Sequence, residues 1–411
     1  MNTLGRMTLA VLLIGILFNG QVVEAGTYYV ATTGSDASSG TVGNPFRTIA
    51  KGLSIMKAGD TLYLRSGTYG EYIRDWGGGV VPSGTSYTDA PVIRGYPGEV
   101  ATLVGVDLQA AAYVIIQDLV LDAQGAAFAT IAVGNSGAHH VRFVNIEAKN
   151  SANHVVQISH LGHHIEFLGG RFHDAGNPAS PVAEYPRCYG FYVIGNDNLF
   201  DGIEVYNTPS YGVHQYNSIL PYPSRNVYRN SVFHHTGLQI VSSSAILLAK
   251  GADNAAYNNI LYSNNGHGIT TGYGDTNTKI YNNTIYGGAQ KGIFLSSNAP
   301  IGNLSQNAQV INNIIFNNAT GAVLDLGPTA AGQAVLAANL MSDPLFVNPG
   351  GYDFRLQAGS AAIDAGMTLS EIVQDFTRTP RPSGPRPDIG AYEFKVNSST
   401  LPMPPSNLKA F

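Results

Sequence analysis

The sequence has a single cysteine, a single tryptophan and charge on only 12% of its positions. Beyond its first residues it also has no long apolar run. Each scarcity removes a class of protein. The lone Cys188 cannot close an internal disulfide, and no other cysteine exists to build a thiolate metal site with it, so we read it as a packed thiol. A net charge of −5, without a Lys/Arg-rich stretch or basic helix, argues against a nucleic-acid partner. The stretch from Leu9 to Phe18 is too short for a membrane span. With Arg6 before it and Val23-Glu-Ala25 after it, residues 1–25 read as a signal peptide. The mature chain is therefore expected to be secreted, starting near Gly26.

What is present is a repeat. Asp118, Asn145, Gly169, Gly202, Asn230, Asn259, Asn283 and Asn313 form one column, each inside a similar apolar phrase such as Ile280-Tyr-Asn-Asn-Thr-Ile285. A second polar column follows it: Asn150, Asp174, Asn207, His235, Asn264 and Asn318. Short β-branched runs on either side of an Asn turn, with no regular helix between them, predict an all-β, single-stranded parallel β-helix. Asn and Gly suit such turns because they tolerate left-handed backbone, and stacked Asn amides can bond from coil to coil. Three further turns share one chemistry: Gly195 to Asn198, Gly251 to Asn254 and Gly274 to Asn277, whose Asp residues read as turn formers.

The expected organisation is an N-terminal cap and first coil over 26–90 and coils over 91–340. A closing segment over 341–395 should fold across the last coil, followed by a Ser/Pro linker and a fibronectin-III-like stub over 396–411. Within the cap, Asn44-Pro45 starts a predicted amphipathic helix with Phe46, Ile49, Ala50, Leu53 and Met56 on its apolar face.

The opening residues Tyr28-Tyr-Val-Ala-Thr-Thr-Gly-Ser-Asp36, Asn44-Pro-Phe-Arg-Thr-Ile49 and Gly59-Asp-Thr-Leu-Tyr-Leu64 resemble those of secreted right-handed parallel β-helix proteins. So do the closing motifs Asp343-Pro-Leu-Phe346, Asp353-Phe-Arg-Leu356 and Asp388-Ile-Gly-Ala-Tyr-Glu393. The resemblance is to the pectin-lyase-like superfamily. It implies activity on an acidic polysaccharide, and it is specific for fold rather than for reaction.

Aligning the second strand of each coil on Gly190, Gly212, Ala245, Gly268 and Gly292 puts Tyr192, His214, Leu247, Thr270 and Phe294 on one outward column. Tyr216, Asn217, Lys250 and Tyr273 fall at the strand ends, and insertions 177–189 and 218–225 flank the same coils. Cleaving a uronate polymer by β-elimination needs a base and a cation beside the carboxylate. Lys250, in Ser244-Ala-Ile-Leu-Leu-Ala-Lys250, loosely resembles the catalytic Lys strand of family 9 polysaccharide lyases. His214 with Tyr216 is an alternative acid–base pair, and Arg187 a candidate carboxylate partner. Tyr189, Tyr192, Asn217, Tyr222, Arg225 and Tyr273 are candidate sugar contacts. The resemblance implies calcium, yet the matching positions here hold Tyr192, His214, Gln215 and Ser242 to Ser244 rather than acids, so no metal ligands are assigned. His139-His140 and His163-His164 lie one coil apart and read as a turn ladder. Hydrolysis would need paired carboxylates, and Glu184, Asp201 and Glu204 share no outward column. The reading is a monomeric, secreted protein acting on a uronate polysaccharide by β-elimination. Its alternatives are a non-catalytic carbohydrate-binding or adhesive solenoid, and a hydrolase or epimerase on the same fold.

Overall fold

The computed structural model describes residues 25–179, 185–218, 220–295, 305–325 and 334–395. The expected signal peptide up to residue 24, the expected linker and stub over 396–411, and Glu184 lie outside the described residues. Each coil contributes one short strand to each of three faces. In the central coils the first face holds Val227–Arg229, Ala255–Tyr257 and Lys279–Tyr281, paired in parallel register. The second holds Val232–Thr236, Ile260–Tyr262 and Thr284–Tyr286. The third holds Phe191–Val193, Val213–Gln215, Ser244–Ala249 and His267–Gly272.

Pairing is between equivalent strands of successive coils, so the chain closes each face by winding rather than by hairpins. In the phrase Ile280 to Ile285, both isoleucines point inward and are buried, and the two asparagines between them make the corner. The core is a continuous apolar column with ring stacks that climb one coil at a time. Phe143, Phe167, Phe200 and Tyr228 lie nearly parallel at 4.8, 5.5 and 4.5 Å.

The corner between the first and second faces contains two columns, not one. The outer column (Asp118, Asn145, Asn230, Asn258, Asn282, Asn312) has positive φ throughout. The inner column (Ser231, Asn259, Asn283, Asn313, Asn339) is a buried ladder in which each side-chain oxygen accepts the backbone N–H of the coil before it. The single column read from sequence therefore slips by one residue at Asn259. The second polar column slips likewise at Asn264, which aligns with Thr236 and not with His235. At a doubled Asn, composition cannot tell the left-handed outer place from the buried inner one. The turn ending at Asn277 shows the same shift, because Asn277 donates to Asp253. Its Asp275 is not a surface turn former. It is buried, accepts from the Thr278 hydroxyl at 2.6 Å, and burial pushes its carboxyl up to about 7.

The cap helix α1 is Ile49–Ile55, shorter than expected, with Thr48 rather than Asn44 as its N-cap. Phe46 instead joins the first strand through hydrogen bonds with Tyr29 and Ala31, which delays the start. Ile49, Gly52 and Leu53 are its buried face.

The closing segment does not fold across the last coil. It lies along the outside of the second face, where Phe346, Phe354, Leu356, Ala362 and Ile389 bury Ile260 and Ile314, and reaches the first face, where Ile372 packs on Tyr281 and Ile311. Tyr352 stacks on Tyr262 at 4.4 Å, and Asn258, Asn282 and Asn312 donate to its backbone. The outward aromatics of that face supply the apolar seat. The third face is left free of this cover.

Candidate functional site

The register puts Tyr192, His214, Leu247, Thr270 and Phe294 in one column of the third face. The strands approach closely here. A Cβ at Gly190 would lie 2.6 Å from the Gly212 carbonyl oxygen, so glycine is the residue that fits.

Tyrosines enclose His214. Tyr189 stacks on it at 4.5 Å, and Tyr211, Tyr192 and Tyr216 follow at 4.7, 5.4 and 5.9 Å. The same Tyr189 stacks on its other side against His154 at 4.6 Å. Burial pulls His214 down to about 4, and burial with the charge of His214 pulls His154 down to about 3. Both imidazoles are therefore neutral at pH 7. The Nδ1 of His214 is buried without a hydrogen-bond partner, while that of His154 accepts the Tyr189 N–H at 3.3 Å.

Tyr216 links this group to Lys250. Its ring contacts Tyr273 at 5.5 Å, and the Lys250 ammonium lies over the Tyr216 ring at 5.4 Å and over Tyr222 at 4.7 Å. Each ring face attracts the ammonium by about 0.5–1 kcal/mol at such partly exposed places. Lys250 occupies a corner with φ 59°, just past the strand Ser244–Ala249. The insertion carrying Tyr222 is pinned by the Pro223 carbonyl, which accepts from Gln215 and Asn254 at 3.2 and 3.1 Å. Asn217 donates to the Pro221 carbonyl in the same loop.

Lys250, His214, Tyr216, Tyr189, Tyr192, Tyr222 and Tyr273 thus form one connected cluster, with Asn217 in its loop. Two other candidates stand apart. Arg225 pairs with Asp197 at 2.5 and 2.8 Å, bonds that raise it above the ordinary guanidinium value, so it serves a corner. Arg187 is exposed, and no ion pair ties it to the cluster among the described residues. The sequence reading missed His154. Carrying the Gly-led alignment one coil upstream would have placed Val155 opposite Gly190 and His154 beside Tyr189.

The cluster does not suit calcium, which takes hard oxygen ligands, several of them carboxylates. Its outward column carries no acid, and Gln215 points inward to bond Tyr228 and Asn226. The acids considered for hydrolysis are engaged elsewhere: Asp201 with Arg229 and Arg378, and Glu204 with His234.

A polar cleft of about 840 Å³ opens at the corner between the second and third faces, beside the 177–189 insertion. Gln124, Asn150, Asp174, Asn207, Gln239 and Tyr185 line it, and of the tyrosines that the sequence offers for sugar stacking it contains Tyr185. No helix among the described residues is long and apolar enough to cross a membrane.

Comparison with known proteins agrees with this architecture. Residues 184–334 match the family model of the right-handed beta helix region, and residues 32–166 match a family of unknown function, DUF1565. The pectate lyase Pel9A superposes with a TM-score of 0.62 at 18% identity, covering 90% of this chain and 96% of that one. A rhamnogalacturonan lyase gives 0.49 at 16% identity, covering 77% and 87%. An alginate lyase from Paenibacillus sp. str. FPU-7 gives 0.46 at 17%, covering 72% and 95%. No curated protein sequence matches the chain. The protein is a right-handed parallel β-helix, similar in fold to Pel9A.

Proposed function

We propose that the protein binds an acidic polysaccharide along its third face and cleaves it there by β-elimination. The observation that carries this reading is the cluster in which Tyr216 joins a neutral, half-buried His214 to the Lys250 ammonium. Lys250 is the cation for the uronate carboxylate, which makes the neighbouring proton acidic. His214 is the base that takes that proton, and the Tyr216 phenol returns one to the leaving glycosidic oxygen. Tyr189, Tyr192, Tyr222 and Tyr273 are the stacking surfaces for the sugar rings. Similarity in fold to a pectate lyase supports the substrate class.

The polar cleft supports a second reading, a carbohydrate-binding solenoid without catalysis. Its amides and single tyrosine suit sugar hydroxyls more than a carboxylate.

The test is a screen of protein starting at Gly26 against pectate, alginate, hyaluronan and chondroitin, with and without calcium. Unsaturated product is followed by ultraviolet absorbance. Activity is expected on at least one uronan, reduced by at least about 100-fold in Lys250→Asn, comparable to loss of an oxyanion-type contact. Asn keeps the left-handed corner, so a folding defect does not confuse the result. Activity that survives both Lys250→Asn and His214→Gln would move the site. Absence of product together with retention on a glycan array would establish the binding solenoid.

A further inference from the structure

The corner where third-face strands turn into first-face strands has its own column of left-handed residues: His140, His164, Asp197, Arg225, Asp253 and Asn277. On two successive coils this position and the one before it are both histidine. His139 lies parallel to His163 at 5.1 Å and 6°, and His140 to His164 at 4.6 Å and 9°. Within each coil the two Nδ1 atoms face each other at 2.8 Å. One ring nitrogen from each of His140, His163 and His164 lies within 4.8 Å of the others. Tyr113, at the same corner one coil earlier, stacks on His140 at 4.5 Å and closes that side.

Two imidazoles whose Nδ1 atoms approach to 2.8 Å share either a proton, one neutral ring donating to the other, or a cation. The distance suits a cation. Adjacent ligands about 2.0–2.1 Å from one ion at right angles stand about 2.8–3.0 Å apart. The next coil offers a second such pair, one strand spacing of about 4.8 Å away. Opposite ligands of that ion stand about 4.0–4.2 Å apart, so ring tilts of under about 1 Å bring the nitrogens of His140, His163 and His164 onto one ion, with His139 beside His140.

The nearby carboxylates are already engaged, Glu166 with Arg142 at 2.7 Å and Asp197 with Arg225. The donor set is then nitrogen alone. That disfavours calcium and magnesium and favours a late first-row divalent ion: zinc, nickel or copper.

We propose that His139, His140, His163 and His164 form a transition-metal site that clips two adjacent coils together. It is separate from the third-face cluster and does not depend on the reading of that cluster.

The test uses untagged protein starting at Gly26, stripped with a chelator and titrated separately with zinc, nickel, copper and calcium by calorimetry. At least one of the first three is expected to bind at one ion per chain and raise the melting temperature, and calcium is not. With copper, the spin-resonance spectrum should show several equivalent nitrogens. The double variant His140→Asn/His164→Asn keeps both left-handed corners and is expected to weaken binding by at least about tenfold. The pair His234 and His235 is an internal control. Its Nδ1 atoms also meet at 2.7 Å, but tyrosines 206 and 262 flank His234 at 4.9 Å in place of a second histidine pair. His235→Asn should leave binding unchanged. The proposal is overturned if none of the three ions binds stoichiometrically. It is equally overturned if the double variant binds as tightly as the wild type, or if His235→Asn removes the binding.

Discussion

At the scale of single residues, the candidate site is built around a histidine partly taken out of water. His214 sits among four tyrosines, and its folded value of about 4 lies below the 6.5 of an unfolded chain. Between those pH values the unfolded chain binds a proton that the folded one refuses. The contribution of His214 is therefore full above pH 6.5 and is lost as pH falls toward 4, at up to about 1.4 kcal/mol per pH unit. Asp275, pushed up to about 7, acts in the opposite sense, lowering stability as pH rises above the unfolded value of 3.8. The two partly cancel in the wild type, so a difference is the clean measurement. Denaturant melts of His214→Gln should show the variant gaining on the wild type as pH falls from 6.5 to 4. A gap that stays constant with pH would mean the imidazole is not held neutral. The position of Lys250 at a strand end beside an insertion was legible from the sequence. His154 was not, because its role as a stacking partner of Tyr189 comes only from the neighbouring coil.

At the scale of elements, the closing segment shows how a buried charge can hold an irregular stretch in one conformation. Arg381 and Glu393 pair at 2.6 Å with side chains only 1% exposed each. Arg381 also donates to the carbonyls of Asp388 and Gly390, and Glu393 accepts from the backbone of Ser383 and Asp388. Removing one partner leaves the other charge buried and alone, so Glu393→Ala should cost about 3–5 kcal/mol. Thermal unfolding gives the size of the loss. In Glu393→Ala, limited proteolysis should cut within 343–395 first, since the segment is irregular and docks on the outside of the coils rather than within them. A variant that melts like the wild type would show that the pair is dispensable. The motifs of this segment were recognisable in the sequence, but its place on the second face was not. That place depends on Tyr262, Tyr286 and Phe316 pointing outward together, which requires the register.

At the scale of the whole molecule, the solenoid is tied by a buried amide ladder as well as by its apolar column. Asn283 accepts the backbone and side-chain N–H groups of Asn259 at 3.0 Å and donates to Asn313 and the Ala256 carbonyl. Asn283→Ala leaves at least one buried backbone donor without a partner, at about 1–3 kcal/mol, in addition to the lost bonds. Urea unfolding should report a loss of at least about 2 kcal/mol, while Asn307→Gly on the exposed left-handed corner should change stability far less. Equal losses would deny the inner column its special role.

The sequence by itself determined the architecture. Apolar pairs that return around Asn corners can satisfy their backbone only by winding into parallel coils, and that pattern is local enough to read. It also located the outward column from Tyr192 to Phe294, because strand alternation has a period of two. Only the tertiary structure decided which Asn of each doubled pair is buried and which face the closing segment covers. It also decided that Arg225 serves a corner while Lys250 meets two tyrosines. Those outcomes depend on contacts between residues far apart in the chain, and a one-residue slip in register is invisible until neighbouring coils are stacked.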